Sequence, residues 1–212
     1  MWRLSGAVAL ALLTAACSAA DEPDASPPPG ATTSAATTPS IPSEPAATAP
    51  GGVELTTQGS DLAVGDHASV SWQPRADVVG VLDVRVTRLE RAPIRALAAF
   101  GLDRSQRRSS LYYVHGKVEN LGETDLAGAD VPLYVLDDRD RLVEATPVGA
   151  TFGPCASTPL PSPFPTGERV SFCLLYLVPD HGGLDAVSFR PTQDFDPITW
   201  TGDVVRWSRK AR

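Results

Sequence analysis

The chain has 212 residues, 42% of them hydrophobic, with 20 prolines and a formal net charge of −7. An acidic balance of this size argues against a general nucleic-acid binder and gives no reason to expect the whole surface to lie along anionic lipid. Three cysteines and one methionine, Met1, leave little for soft-metal chemistry.

At the N-terminus Arg3 precedes an apolar run from Leu4 to Ala16 that is short for a membrane span and has the layout of a secretory signal. The run ends Leu-Leu-Thr-Ala-Ala-Cys17, which resembles the lipobox of bacterial lipoproteins and makes Cys17 the expected acylated first residue of the mature protein. Residues 1–16 are therefore read as signal peptide. The alternatives are an ordinary signal with a chance cysteine, or an uncleaved anchor. Of the 33 residues Ser18–Pro50, 27 are Ala, Pro, Ser or Thr. Such a composition cannot bury enough apolar surface to offset the entropy of ordering it. Residues 17–52 are expected to form a semi-extended tether, reaching on the order of 100 Å if fully drawn out at ~3.1 Å per residue. Residues 53–212 remain, enough for one domain with its own core.

Within that domain, Val53–Asp61 reads as polar chain still leaving the tether. Ala68–Trp72 reads as a short strand, and Val79–Leu89 alternates with Leu82, Val84 and Val86 on one face. Pro93 ends that strand, and Ile94–Leu102 carries helix formers. Leu111–Gly122 is the central strand: Tyr112, Val114, Gly116 and Val118 share the buried parity, while Tyr113, His115, Lys117 and Glu119 take a face that tolerates water. Asn120 and Gly122 then turn the chain. Further strands are expected at Val131–Leu136 and Leu142–Ala145, with Asp137–Arg141 as the hairpin turn between them. The stretch Thr151–Gly167, with prolines at 159, 161, 163 and 165, should run extended over the surface. Arg169–Val178 is apolar on both faces, which marks a central strand or one covered outside by the proline segment. Leu184–Phe189 and Ile198–Trp207 complete the set. Seven or eight short strands with almost no helix predict an all-β fold, an antiparallel immunoglobulin-like β-sandwich.

Cys155 and Cys173 form an even pair once Cys17 is given to lipid, so a disulfide is expected. Two unpaired buried thiols are the alternative.

The ordered segments VGDHASVSW, VLDVRVTRLE, YYVHGKVENLGETDL, LYVLDDRDRLVEA and PTGERVSFCLLYLVPD resemble an Ig-like domain family of unknown function. That family is common in lipoproteins of Gram-positive bacteria and actinobacteria, and is similar to the broad group that includes a secreted mycobacterial immunogenic antigen. The anchors are Val118, Asn120 and Gly122, then Pro165, Gly167 and Glu168, then Val178 and Pro179, within a resemblance spanning about Leu62 to Pro191. It implies a sandwich and an extracytoplasmic, membrane-anchored address, and no activity.

Catalytic and metal motifs are missing from the pattern. His67, His115 and His181 lie on separate segments, no G-x-S-x-G elbow is present, and Asp137, Asp138 and Asp140 lack the spacing of a calcium loop. No catalytic residue, metal or cofactor is assigned. Trp72, Trp200 and Trp207 sit at strand ends and read as packing. The basic segment between two strands stands out: Arg91, Arg95, Arg104, Arg107 and Arg108, with Asp103 as the acid among them. Loops on a rigid sandwich concentrate binding residues, and guanidinium groups suit carboxylates and phosphates. The alternative is that these arginines pair with the domain's own acids. The leading expectation is a lipid-anchored, non-catalytic binding or assembly module on the outer face of the cell membrane, its partner an anionic envelope component or another envelope protein. The second is a carrier of an apolar envelope molecule such as a lipid or glycolipid, held between the two sheets or under the Ile94–Leu102 segment. Replacing Cys17 with Ser should move the protein from the membrane fraction to the soluble exported fraction or leave it as unprocessed precursor. Fractionation that still finds a processed, membrane-bound form would place the anchor elsewhere.

Overall fold

The computed structural model describes residues 47–149 and 152–208. The segment read as a signal peptide, Cys17, most of the expected tether and the terminal Arg209, Lys210 and Arg212 lie outside the described residues. Ten strands form two five-stranded sheets: β1 (Asp61–Ala63), β2 (His67–Arg75), β3 (Val78–Ala92), β4 (Ser110–Asn120), β5 (Tyr134–Asp137), β6 (Leu142–Val143), β7 (Arg169–Val178), β8 (Leu184–Phe189), β9 (Ile198–Thr201) and β10 (Val204–Arg206). One sheet has the order β1-β9-β8-β5-β6; the other runs β10-β3-β4-β7, with β2 also paired to β3. Pairing is antiparallel except for β1 with β9 and β10 with β3. The all-β sandwich expected from the sequence is what forms.

The inner faces carry the main core. Val84, Val86, Leu89, Tyr112, Val114, Leu174 and Tyr176 from one sheet meet Val135, Val187, Phe189, Ile198 and Trp200 from the other. Gly116 sits in this row because the Phe172 ring of β7 fills its side-chain space: a Cβ there would lie 2.3 Å from the ring and 2.6 Å from the Arg85 carbonyl. β3 reaches its length through a bulge. Val86 pairs with Gly116 and Arg88 with His115, leaving Thr87 as the extra residue. The bulge inverts the side-chain parity of the second half of the strand, so Leu89 returns to the core while Arg88, Glu90 and Ala92 face outward.

Several expectations are corrected. The domain begins earlier than residue 53. Ala49, placed by composition in the tether, is 6% exposed, and the Leu55 N–H donates to the Ala47 carbonyl at 2.8 Å. The end of the polar stretch runs into a strand, β1, which covers Asp61–Ala63 and pairs with β9. The expected last strand is two: the chain breaks at Gly202-Asp203 and passes from one sheet to the other, leaving Trp200 in the main core and Trp207 outside it. The apolar Ile94–Leu102 stretch forms a 3₁₀ segment, Ile94–Phe100, and a second short one spans Gln106–Arg108. The proline segment does more than cross the surface. Leu160 and Phe164, between its prolines, are 4% and 0% exposed in the main core. Their backbones bond to the Leu126–Ala129 turn, with Gly128 N–H to Leu160 O at 3.2 Å and Leu126 N–H to Phe164 O at 3.1 Å.

The two apolar faces of β7 are explained by its cover. β7 is an edge strand, and Cys155 is bonded to Cys173 with Cα atoms 5.3 Å apart. The tied segment caps the free edge: the Ser157 N–H donates to Cys173 O at 3.0 Å, and Leu175 N–H donates to Ser157 Oγ at 3.1 Å. Along Cys173–Leu175 the edge is thus closed to pairing with other chains. Mass measurement with alkylation of unreduced protein should find no free thiol at Cys155 or Cys173. Cys155→Ser with Cys173→Ser should lower unfolding stability in urea by about 3 kcal/mol, the loop-closure value for a bridge of this span.

Candidate functional site

The outer face of the β10-β3-β4-β7 sheet divides in two. Toward one end Ala92, Leu111, Tyr113, Leu175 and Leu177 form an apolar surface, and a second core is built on it from Leu97, Phe152, Cys155 and Trp207. Tyr113 is the centre of this core at 0% exposure, against the water-tolerant face expected for its parity. Its ring meets Phe152 and Trp207 edge-on, with centroids 6.2 and 6.3 Å away. Toward the other end the same face is charged, with Arg169 on Glu119 at 2.7 Å and His67 on Asp83 at 2.6 Å.

The basic insertion, residues 93–109, lies over the apolar half. Leu97 is buried, Ile94, Ala96 and Leu102 are partly buried, and the outward side carries the charges. Arg95, Arg104, Arg107 and Arg108 are all exposed. Gly101, at φ +63°, ends the first 3₁₀ segment in the left-handed region that glycine enters freely. Asp103 Oδ1 then holds the next turn, accepting from Ser105 N–H at 2.7 Å, Ser105 Oγ at 2.6 Å and Gln106 N–H at 2.9 Å. The Ser105 hydroxyl and these amides hold its carboxyl below the usual range, with a smaller contribution from Arg107. Arg107 donates to the Leu102 carbonyl, and Arg108 to the Arg104 carbonyl at 3.5 Å. Arg91 stands apart from the other four. It lies on β3, bonds Ser110 Oγ at 3.2 Å and stacks 5.8 Å from the Tyr112 ring centre, so its role is in holding the sheet end. Among the described residues, none of these five arginines lies within 4.0 Å of a carboxylate oxygen, whereas Arg88, Arg139, Arg141 and Arg169 all do. The internal pairing weighed as the alternative is thus made by other arginines.

Beside Arg95 a groove of about 540 Å³ opens between Pro93, Ala96, Gly153, Pro154 and Trp207. The centre of the space between the sheets is filled by side chains such as Trp200, Tyr176, Phe164 and Phe189, each without solvent contact, while grooves of about 420 and 300 Å³ open at its margins beside Trp72 and Tyr134 and beside Val70 and Phe189.

Sequence reasoning did not find a buried charge cluster at the border of the two halves. Glu90 is 3% exposed, its carboxylate 2.7 Å from His115 Nε2 and 3.5 Å from Arg88 Nε. His115 Nε2 is also 3.9 Å from Cys173 Sγ. The three-residue step from Val86 to Leu89 is the one sequence signal that could have turned Glu90 toward this face. Burial pushes the His115 pKa below its ordinary value, opposed by Glu90 and assisted by Arg88. Burial, with the nearby Glu90 charge, raises the Tyr113 hydroxyl to about 12.

The acidic hairpin turn is structural. Burial alone would raise the Asp137 carboxyl, but Arg141, whose Nε lies 2.8 Å away, and the N–H groups of Arg141 and Arg139 outweigh it and hold the pKa low. No group of three His, Cys, Asp or Glu side chains suited to a metal occurs among the described residues.

The depressed His115 pKa has a definite sign. The unfolded chain takes up a proton near pH 6.5 before the folded one does, so stability falls as pH drops from about 6.5 through the lower folded value. His115→Gln, which keeps a donor for Glu90, should show a smaller drop in melting temperature between pH 7 and pH 5 than the parent. An equal drop would remove His115 as the cause.

No known protein family and no curated protein matches the chain. A solved structure that is similar is that of MPT63, a secreted protein from Mycobacterium tuberculosis, at 11% identity and a TM-score of 0.44, covering 69% of this chain and all of that one. Among the described residues no helix is long and apolar enough to cross a membrane.

Proposed function

We propose that this protein is a non-catalytic binding or assembly module, lipid-anchored through Cys17 on the outer face of the cell membrane, which docks an anionic envelope partner through Arg95, Arg104, Arg107 and Arg108. The observation that carries the proposal is the set of four exposed guanidinium groups with no carboxylate oxygen within 4.0 Å among the described residues, displayed by a loop whose underside is fixed to a packed core. A loop fixed on a packed base loses little entropy when its cations capture an anion. The side chains that fill the centre of the sandwich favour this reading over a carrier that holds its molecule there, while the groove beside Pro93, Ala96 and Trp207 is the place left for a carrier under the Ile94–Leu102 segment. We further place the chain in the Ig-like lipoprotein family that it resembles. The separate sequence anchors of that resemblance meet in space here, with Gly167 N–H on Asn120 O at 2.7 Å and Asn120 N–H on Glu168 O at 3.0 Å.

Docking of this kind is salt-sensitive. Arg104→Glu with Arg107→Glu and Arg108→Glu should abolish cross-links between the full-length protein and the envelope while leaving the melting temperature within a few degrees of the parent. Unchanged cross-links would exclude the insertion as the contact, and a large loss of stability would make these arginines structural.

A further inference from the structure

This inference rests on the docking role proposed above and names the class of partner: we propose that the tip of the insertion docks on an anionic phospholipid surface, with the Phe100 ring entering the head-group layer and the arginines on the phosphates. Phe100 is 43% exposed, and the other large hydrophobic side chains exposed among the described residues, Val79, Leu142 and Val205, are aliphatic and lie on strands. One edge of its ring rests on Phe152, with centroids 5.4 Å apart, so the aromatic is held in place and not free to fold back. Its neighbours Ala98, Ala99 and Gly101 are small and exposed, so the ring is the tallest group of the tip.

Basic residues follow it along the loop. The Arg107 guanidinium is fixed on the Leu102 carbonyl, two residues beyond the ring, and Arg108 folds back on the Arg104 carbonyl. Between Glu90 and Glu119 Asp103 is the one acid, and its Oδ1 is already engaged by the turn it caps. The apolar underside of the segment is spent on the second core, through Leu97 and the partly buried Ile94, Ala96 and Leu102. What remains outside is a bulky aromatic on a base of small residues, with Arg104, Arg107 and Arg108 following it in the same loop. An interfacial anchor combines the same parts: apolar area that enters the acyl boundary and cations that meet anionic head groups. A hydrated wall polymer could pair with the arginines but offers an exposed ring nothing to enter.

The test uses the chain from residue 17 onward with Cys17→Ser, which keeps every described residue and removes the acylation site, together with vesicles of phosphatidylcholine alone and mixed with phosphatidylglycerol. Co-sedimentation should show binding to the mixed vesicles, weakening as salt rises, and far less to phosphatidylcholine. Phe100→Ser should weaken it about tenfold, while Phe100→Leu, which keeps an apolar tip, should retain most of it. Arg104→Glu with Arg107→Glu and Arg108→Glu should weaken it on the order of a hundredfold. Equal binding to both vesicle types, or Phe100→Ser binding like the parent at an unchanged melting temperature, would overturn the proposal. Cross-links that depend on the arginines, with no vesicle binding by the parent, would overturn lipid as the partner and leave the docking role standing. Cross-links that survive arginine reversal would overturn both.

Discussion

Asn120 is the residue on which the assembly of this sandwich turns. It is fully buried at the end of β4, and every polar group it owns is engaged. Its side-chain NH₂ donates to Thr124 O at 2.7 Å and Phe164 O at 2.9 Å, its Oδ1 accepts from Gly122 N–H at 3.0 Å, and its backbone bonds to Glu168 and Gly167. A buried amide is costly unless all its partners are present. The β4 end, the following turn, the Phe164 segment and the turn into β7 must therefore arrive together. Phe164 then delivers its ring to the main core at no solvent exposure.

That knot positions a sheet with work on both faces. The central strand β4 lends Tyr112, Val114 and Val118 to one core and Leu111 and Tyr113 to another. The second core exists because the sequence after β3 and the segment tied by Cys155 both fold onto the outer face. The disulfide does not merely staple two strands: it holds Phe152 near Tyr113 and Phe100, which in turn sets where the basic loop stands. Loop charge is displayed with little flexibility because its foundation is apolar and closely packed.

How much of this was legible follows from which forces act locally. The parity of Tyr112, Val114 and Val118 and the two-faced β7 could be read directly, since side-chain alternation is a property of each strand alone. The disulfide followed from an even cysteine count. The locations of Tyr113 and Glu90 could not be read, because what covers an outer face is decided by segments far away in the chain. The bulge at Thr87 was hidden inside an apparently regular alternation, although the Val86-to-Leu89 step marks it. β1 was missed because three residues, Asp61–Ala63, carry too little pattern, and their pairing partner lies near the opposite end of the chain. The arginines were conspicuous by composition. That Arg91 belongs to the sheet, and the other four to a solvent-facing loop, required the fold.

The parallel pairing of β1 with β9 has a mechanical consequence. In a parallel pair the leading end of one strand and the trailing end of the other point in opposite directions, so tension applied between the start of β1 and the end of β9 acts along the strands. The bonds that resist it, Thr199 N–H to Ser60 O at 2.9 Å, Val64 N–H to Thr201 O at 2.8 Å and Thr199 Oγ1 to Asp61 Oδ1 at 2.6 Å, are then loaded side by side and share the force. An antiparallel first strand would peel away one bond at a time. For a domain held by its N-terminal side, this short strand is a shear joint.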